Sequence, residues 1–201
     1  MKLYLKPGAC SLSPHIALEE AGLPYETEAV DLKTKVTASG ADFWKSNPKG
    51  YVPALLLDSG ELLTEGAAIV QYIADQAPAK KLAPANGTIE RYRLQSWLNF
   101  IGTELHKSCS PFFNPASGKE WKEIASANLE RRLAYVNEQL EGKPYLMGED
   151  FSVADGYLFT VLGWMKFVRI DLAKWPNLAA YVDRVAARPA VQAALKAEQG
   201  A

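Results

Sequence analysis

Apolar positions follow two different rhythms along this chain. Up to about residue 76, short β-type runs alternate with helical ones. Leu3-Tyr4-Leu5 reads as a strand closed by Lys6-Pro7-Gly8, and a helical run through Ile16, Ala17 and Leu18 stops at Gly22. Residues 25–30 read as a second strand, with Tyr25, Thr27 and Ala29 alternating against glutamates. Residues 54–57 and 61–64 flank the turn formers Asp58-Ser59-Gly60, which predicts a hairpin, and a helix follows over 65–74. The order βαβ then ββα predicts helices packed around a small mixed sheet.

From residue 88 the rhythm is helical throughout. Long runs cover 88–107, 119–141 and 152–168, and shorter ones cover 176–188 and 189–197. Pro176 suits a first helical turn. Ser152-Val153-Ala154-Asp155 has the spacing of a capping box, but Gly156 stands where Phe151 would need an apolar staple partner. Between the two regimes, residues 77–87 hold two prolines and an Asn-Gly, so a boundary is expected there: one domain over 1–80 and an all-helical one over 87–201. On the 88–107 helix, at about 100° per residue, Gln95, Asn99, Thr103 and His106 fall in one polar stripe. Leu94, Trp97, Leu98, Ile101 and Leu105 lie opposite as the core side. The stripe is either a solvated face or a binding face; its uncharged hydrogen-bonding groups favour the second.

Composition narrows the classes of function. The chain has 201 residues, 48% hydrophobic and 22% charged, which is ordinary for a globular protein able to bury a sizeable core. Lys and Arg number 22 against 23 acids, so the electrostatic footprint of a dedicated nucleic-acid binder is missing. The charge is uneven: seven lysines face ten acids in residues 1–80, and fifteen basic residues face thirteen acidic ones beyond. The longest charge-free apolar stretch, 156–165, is too short to span a bilayer, and the first residues have no signal-peptide apolar region. Two cysteines make no disulfide framework, so a reducing cytoplasm is the expected compartment.

Several residues could carry chemistry. Cys10 lies between the first strand and first helix, where free amides and the helix dipole favour a thiolate; a free thiol near ~8.5 can fall to ~3.5–7.5 in such a setting. The spacing is Cys-x-x-Ser, so the chain offers no resolving thiol there, and a buried apolar cysteine is the competing reading. Pro53 opens a strand, which makes Val52-Pro53 a candidate cis peptide exposing the Val52 backbone, against the far commoner trans turn proline. Glu65-Gly66 at a helix start could hold an amino-acid end: amides for its carboxylate, Glu65 for its ammonium. Glu65 could equally serve the dipole alone. Cys10, His15, His106 and Cys109 do not have zinc-finger spacing, so no metal site is expected. The five tryptophans lack interleaved basic residues and read as core.

With these residues in place, the chain resembles the bacterial beta-class glutathione S-transferases. The likeness lies in Met1-Lys2-Leu3-Tyr4, Lys6-Pro7-Gly8-Ala9-Cys10-Ser11-Leu12-Ser13-Pro14-His15-Ile16, Asn47-Pro48-Lys49-Gly50-Tyr51-Val52-Pro53 and Thr64-Glu65-Gly66-Ala67-Ala68-Ile69-Val70-Gln71-Tyr72. It continues through Trp97-Leu98-Asn99-Phe100, Glu104-Leu105-His106-Lys107 and Phe151-Ser152-Val153-Ala154-Asp155, so it runs the length of the chain in order. The resemblance implies a thioredoxin-like α/β domain followed by an all-α domain, a homodimer, and glutathione as co-substrate with no other cofactor. It implies Cys10, Ser11 and His106 as catalytic residues. Glutathione would be held by Cys10, Lys35 at its glycine end, the Val52 backbone, Glu65 and Gly66 at the γ-glutamyl end, and Asn99, Thr103, Glu104, Leu105 and His106. Where this chain has Gly66, many glutathione transferases carry a serine, so a hydroxyl contact is replaced by backbone alone. The implied activity is conjugation of glutathione to hydrophobic electrophiles, with thiol exchange or peroxidase chemistry through Cys10; a reductase, dehalogenase or non-catalytic binder are the alternatives. Tyr51, Phe112, Phe113 and Trp164 are candidates for the electrophile pocket.

Overall fold

A computed structural model describes residues 1–200. Its contacts divide the chain into two compact units: residues 1–83 together with the chain from 188 onward, and residues 84–187. The expected division at 80 and 87 assigned everything beyond to the helical part, whereas the last helix groups with the sheet.

The first unit is a five-stranded sheet in the order β3-β2-β1-β4-β5. Central β1 (Lys2–Leu5) runs parallel to β2 (Glu26–Asp31), with Leu3 opposite Thr27, and antiparallel to β4 (Ala54–Leu56), with Leu3 opposite Leu55. β5 (Leu62–Thr64) completes the hairpin and β3 (Val36–Thr37) the other edge. Alternation along β1 sends Leu3 and Leu5 to one face and Tyr4 to the other. On the Tyr4 face lie Val30, Phe43, Val52 and Ala54, with the Tyr4 and Phe43 rings 5.3 Å apart. α1 (Leu12–Ala21) and α3 (Gly66–Gln76) pack against each other, and α9 (Pro189–Gln199) packs on α1. α1 is therefore covered on nearly all sides: every residue from Leu12 to Leu18 is buried. It ends at Gly22, whose φ of 65° is the left-handed C-cap that the sequence indicates. Two elements carry no periodic signal, β3 with its two residues and α2 (Phe43–Ser46). α2 is started by Asp42, whose carboxylate accepts from the Trp44 amide at 3.0 Å.

The second unit is helical. α4 (Ile89–Phe100) runs into a π-helical turn, Ile101–His106, then α5 (Lys107–Phe113), so the single helix expected over 88–107 is longer and locally widened. Leu94, Leu98, Ile101 and Leu105 form its buried side, as the pattern predicts, whereas Trp97, expected among them, is only half-buried. Hydroxyls supplement the widened ladder, Thr103 reaching the Asn99 carbonyl at 3.0 Å and Ser108 the Glu104 carbonyl at 2.8 Å. α7 (Val153–Leu162), every residue of which is buried, packs on α8 (Pro176–Ala186), α4 and the π turn, and α6 (Lys119–Gln139) packs on α8 and α5. The run expected to reach residue 168 is regular only to Leu162 and continues as turns after Gly163. The capping box is present, and its Asp155 also accepts from Leu146 N at 2.9 Å and Tyr181 Oη at 3.1 Å. Phe151 packs edge-on to Tyr145 at 5.7 Å. No helix among the described residues is long and apolar enough to cross a membrane.

Candidate functional site

The β1–α1 loop places Cys10 just ahead of α1, whose N-cap is Ser11. The Val52–Pro53 peptide is cis, and the Val52 carbonyl accepts from the Cys10 thiol at 3.3 Å. Gly66, the first residue of α3, sits against the same proline: a Cβ built there would lie 3.6 Å from Pro53 Cγ. The structure thus brings Cys10, Val52, Pro53 and Gly66 together at one end of the sheet.

The thiol's ionisation departs from the expectation. The amides of Cys10 and Ser11 do act to lower its pKa, but burial acts more strongly and pushes it up to about 11, with the Glu65 charge adding to the rise. At neutral pH Cys10 is therefore a thiol, a donor to Val52, rather than a standing thiolate. Ser11 is fully buried; its hydroxyl accepts from Lys6 N at 3.0 Å and donates to Lys6 O at 3.2 Å, which leaves its amide, not its side chain, to serve the Cys10 sulfur.

Glu65 caps α3 with a φ of 70°, a left-handed conformation costly for a residue with a Cβ and found most often where function requires it. Its carboxylate meets Lys49 Nζ at 2.6 Å. Lys35 has a φ of 61°, donates from Nζ to the Gly50 carbonyl at 2.9 Å, and lies 5.6 Å from the Trp44 ring centroid. Asn47 ties this stretch down, giving its side-chain amide to the Tyr51 carbonyl at 2.8 Å and accepting from Lys49 N at 3.1 Å.

In the second unit, the π turn gathers Thr103, Glu104, Leu105 and His106. Asn99 and Thr103 are exposed; the Asn99 amide reaches the Gln95 carbonyl at 2.9 Å. Glu104 is committed to Arg132, one carboxylate oxygen receiving Nη2 at 2.6 Å and Nε at 2.7 Å. Leu105 is wholly buried, so only its backbone is available. His106 Nδ1 lies 2.7 Å from the Tyr157 hydroxyl, and its ring packs edge-on to Trp164 at 4.8 Å. Phe113 packs against the far side of this group, 5.8 Å from Trp164. Burial, then the Lys107 charge, pushes the imidazole down to about 4, so it is neutral at physiological pH.

Three residues with no local signal of their own belong to these groups. Lys49 pairs with Glu65, Tyr157 with His106, and Glu198 on α9 with the Cys10 loop. The Glu198 carboxylate accepts from Gly8 N at 2.9 Å and meets His15 Nδ1 at 3.1 Å. Each partner is distant in sequence, where periodicity has no reach.

The parallel β1–α1–β2 unit, the β4–β5 hairpin leading into α3, and a cis-proline facing a thiol define the first unit as a thioredoxin-like domain; the second is all-helical. The N-terminal domain of the glutathione S-transferases matches residues 1–75, and their C-terminal domain matches residues 100–189. The chain belongs to the glutathione S-transferase family. It is 49% identical over 198 residues to the glutathione S-transferase GstA of Escherichia coli O157:H7, covering 98% of each chain. Among solved structures it is similar to a sphingomonad glutathione S-transferase complexed with glutathione, with 53% identity, a TM-score of 0.97 and full coverage of both chains. It is equally similar in sequence, at 53%, to the beta-class enzyme of Sphingomonas chungbukensis, with a TM-score of 0.95 and 98% of each chain covered.

Proposed function

We propose that this glutathione transferase conjugates the tripeptide to hydrophobic electrophiles with Cys10 as a thiol donor, and performs disulfide exchange with Cys10 as the nucleophile. The observation that carries this reading is the partly buried Cys10 thiol on the Val52 carbonyl beside Pro53 and Gly66. The Val52 backbone suits the cysteinyl part of an extended peptide, added as a strand. The first turn of α3 suits the γ-glutamyl carboxylate, Glu65 its ammonium, and Lys35 the glycine carboxylate. On the family resemblance Asn99, Thr103, Glu104, Leu105 and His106 are further residues for glutathione, Leu105 through its backbone and His106 supporting the bound thiolate, and the working unit is a cytoplasmic homodimer.

In conjugation, a thiol held near a pKa of about 11 keeps its proton and can turn it from Val52 toward the glutathione thiolate, stabilising that anion. In exchange, Cys10 loses that proton and attacks the glutathione sulfur of a mixed disulfide, forming Cys10–S–S–glutathione and expelling the other thiolate. A second glutathione thiolate then attacks the glutathione sulfur of this adduct, releasing oxidised glutathione and restoring Cys10. The two activities are separable by Cys10→Ala, which should nearly abolish exchange and leave much of the conjugation of an aryl halide. Intact-protein mass spectrometry after addition of oxidised glutathione should show one adduct, on Cys10. An adduct confined to the buried Cys109, or equal loss of both activities, would overturn the assignment.

A further inference from the structure

His106 is held on two sides, both within the helical unit. Tyr157, buried on α7, meets it edge-on with ring centroids 5.9 Å apart, and its hydroxyl lies 2.7 Å from Nδ1. Trp164 meets the other side at 4.8 Å. Opposite the phenol is Gly102, in the π turn that carries His106; a Cβ there would come to 3.5 Å from the Tyr157 hydroxyl, so the turn fits closely around it. A neutral imidazole has one N–H and one lone pair, and a neighbour's hydrogen bond decides which nitrogen has which. A phenol is a far better donor than acceptor toward an imidazole nitrogen, so its proton belongs in this contact.

We infer that Tyr157 is a positioning residue: it donates its phenol O–H to Nδ1 of His106 and so fixes the tautomer with the ring proton on Nε2. The imidazole then offers an N–H and no free lone pair. It serves as a neutral hydrogen-bond donor to a thiolate and not as the base that removes a thiol proton. The push of His106 to about 4 agrees, since a ring that stays neutral keeps this single donor through the physiological range. The inference rests on the proposed place of His106 among the residues that hold glutathione.

Histidine-labelled protein tests it by long-range nitrogen–proton NMR. The chain has two histidines, so His106→Gln identifies the signals of His106. The wild type should show an unprotonated Nδ1 and a protonated Nε2. Tyr157→Phe, which keeps the ring and its packing, should give a mixture of tautomers. Its kcat for exchange should fall roughly tenfold, the scale of one hydrogen bond, with KM for glutathione unchanged. A wild-type proton on Nδ1 would overturn the inference, as would a Tyr157→Phe protein with unaltered tautomer and kcat. Should Tyr157→Phe not fold, the wild-type spectrum decides alone. Undiminished exchange in His106→Gln would instead remove His106 from the reaction and leave the tautomer assignment standing.

Discussion

Two opposing influences meet at the Cys10 sulfur, and their balance has a pH signature. Helix-terminal amides favour the anion and burial favours the thiol; with burial ahead, ionisation lies at about 11. Below that value the thiolate fraction grows about tenfold per pH unit. Alkylation of Cys10 in the glutathione-free protein should therefore climb steadily from pH 7 to 9, followed by peptide mass mapping; a plateau near neutrality would contradict the balance described. Cys109, fully buried and pushed up to about 12, should not compete. Cys10, Glu65 and His106 were legible as candidates because each sits at a position whose backbone chemistry is local: a strand–helix junction, a helix start, a polar stripe. The direction of the Cys10 shift was not legible, because burial depends on neighbours such as Val52, 42 residues away. Tyr157 was invisible for the same reason, 51 residues from its imidazole.

The start of α7 shows how far a local motif reaches. The Ser152–Asp155 spacing announces the capping box, and the structure has it. Asp155, wholly buried, also accepts from Leu146 N and Tyr181 Oη, so one carboxylate ties a preceding loop and α8 to the helix start. Asp155→Ala would leave these buried donors without an acceptor, a loss of about 3–5 kcal/mol on the scale of broken buried polar networks. Urea unfolding should show the lowered midpoint, and a change below about 1 kcal/mol, the scale of an ordinary surface cap, would mean that the box acts alone. Strong periodicity made most helices readable, whereas β3 and α2 are too short to have a period. The π turn is equally silent in sequence, since its widened ladder is supported by hydroxyl back-bonds that an ordinary polar stripe also contains.

At the scale of the whole molecule, α9 is the element whose existence the sequence predicts and whose place it does not. It docks on α1, with Glu198 clasping Gly8 and His15 while Arg188 grips Glu20 at 2.9 Å. Glu198→Ala removes an acceptor from the loop leading to Cys10, and about 2–4 kcal/mol of stability should go with it. Hydrogen exchange should rise at Gly8, and unchanged protection there would mean that the clasp does not steady the loop. The clasp spans 190 residues between Gly8 and Glu198. A chain emerging from the ribosome presents its sheet long before it presents the helix that covers α1. While the middle of the protein is being translated, the apolar side of α1 that α9 will cover stays open to solvent. The thioredoxin-like unit is thus interrupted along the chain by the whole helical unit, and the helix that covers α1 is translated only after that unit.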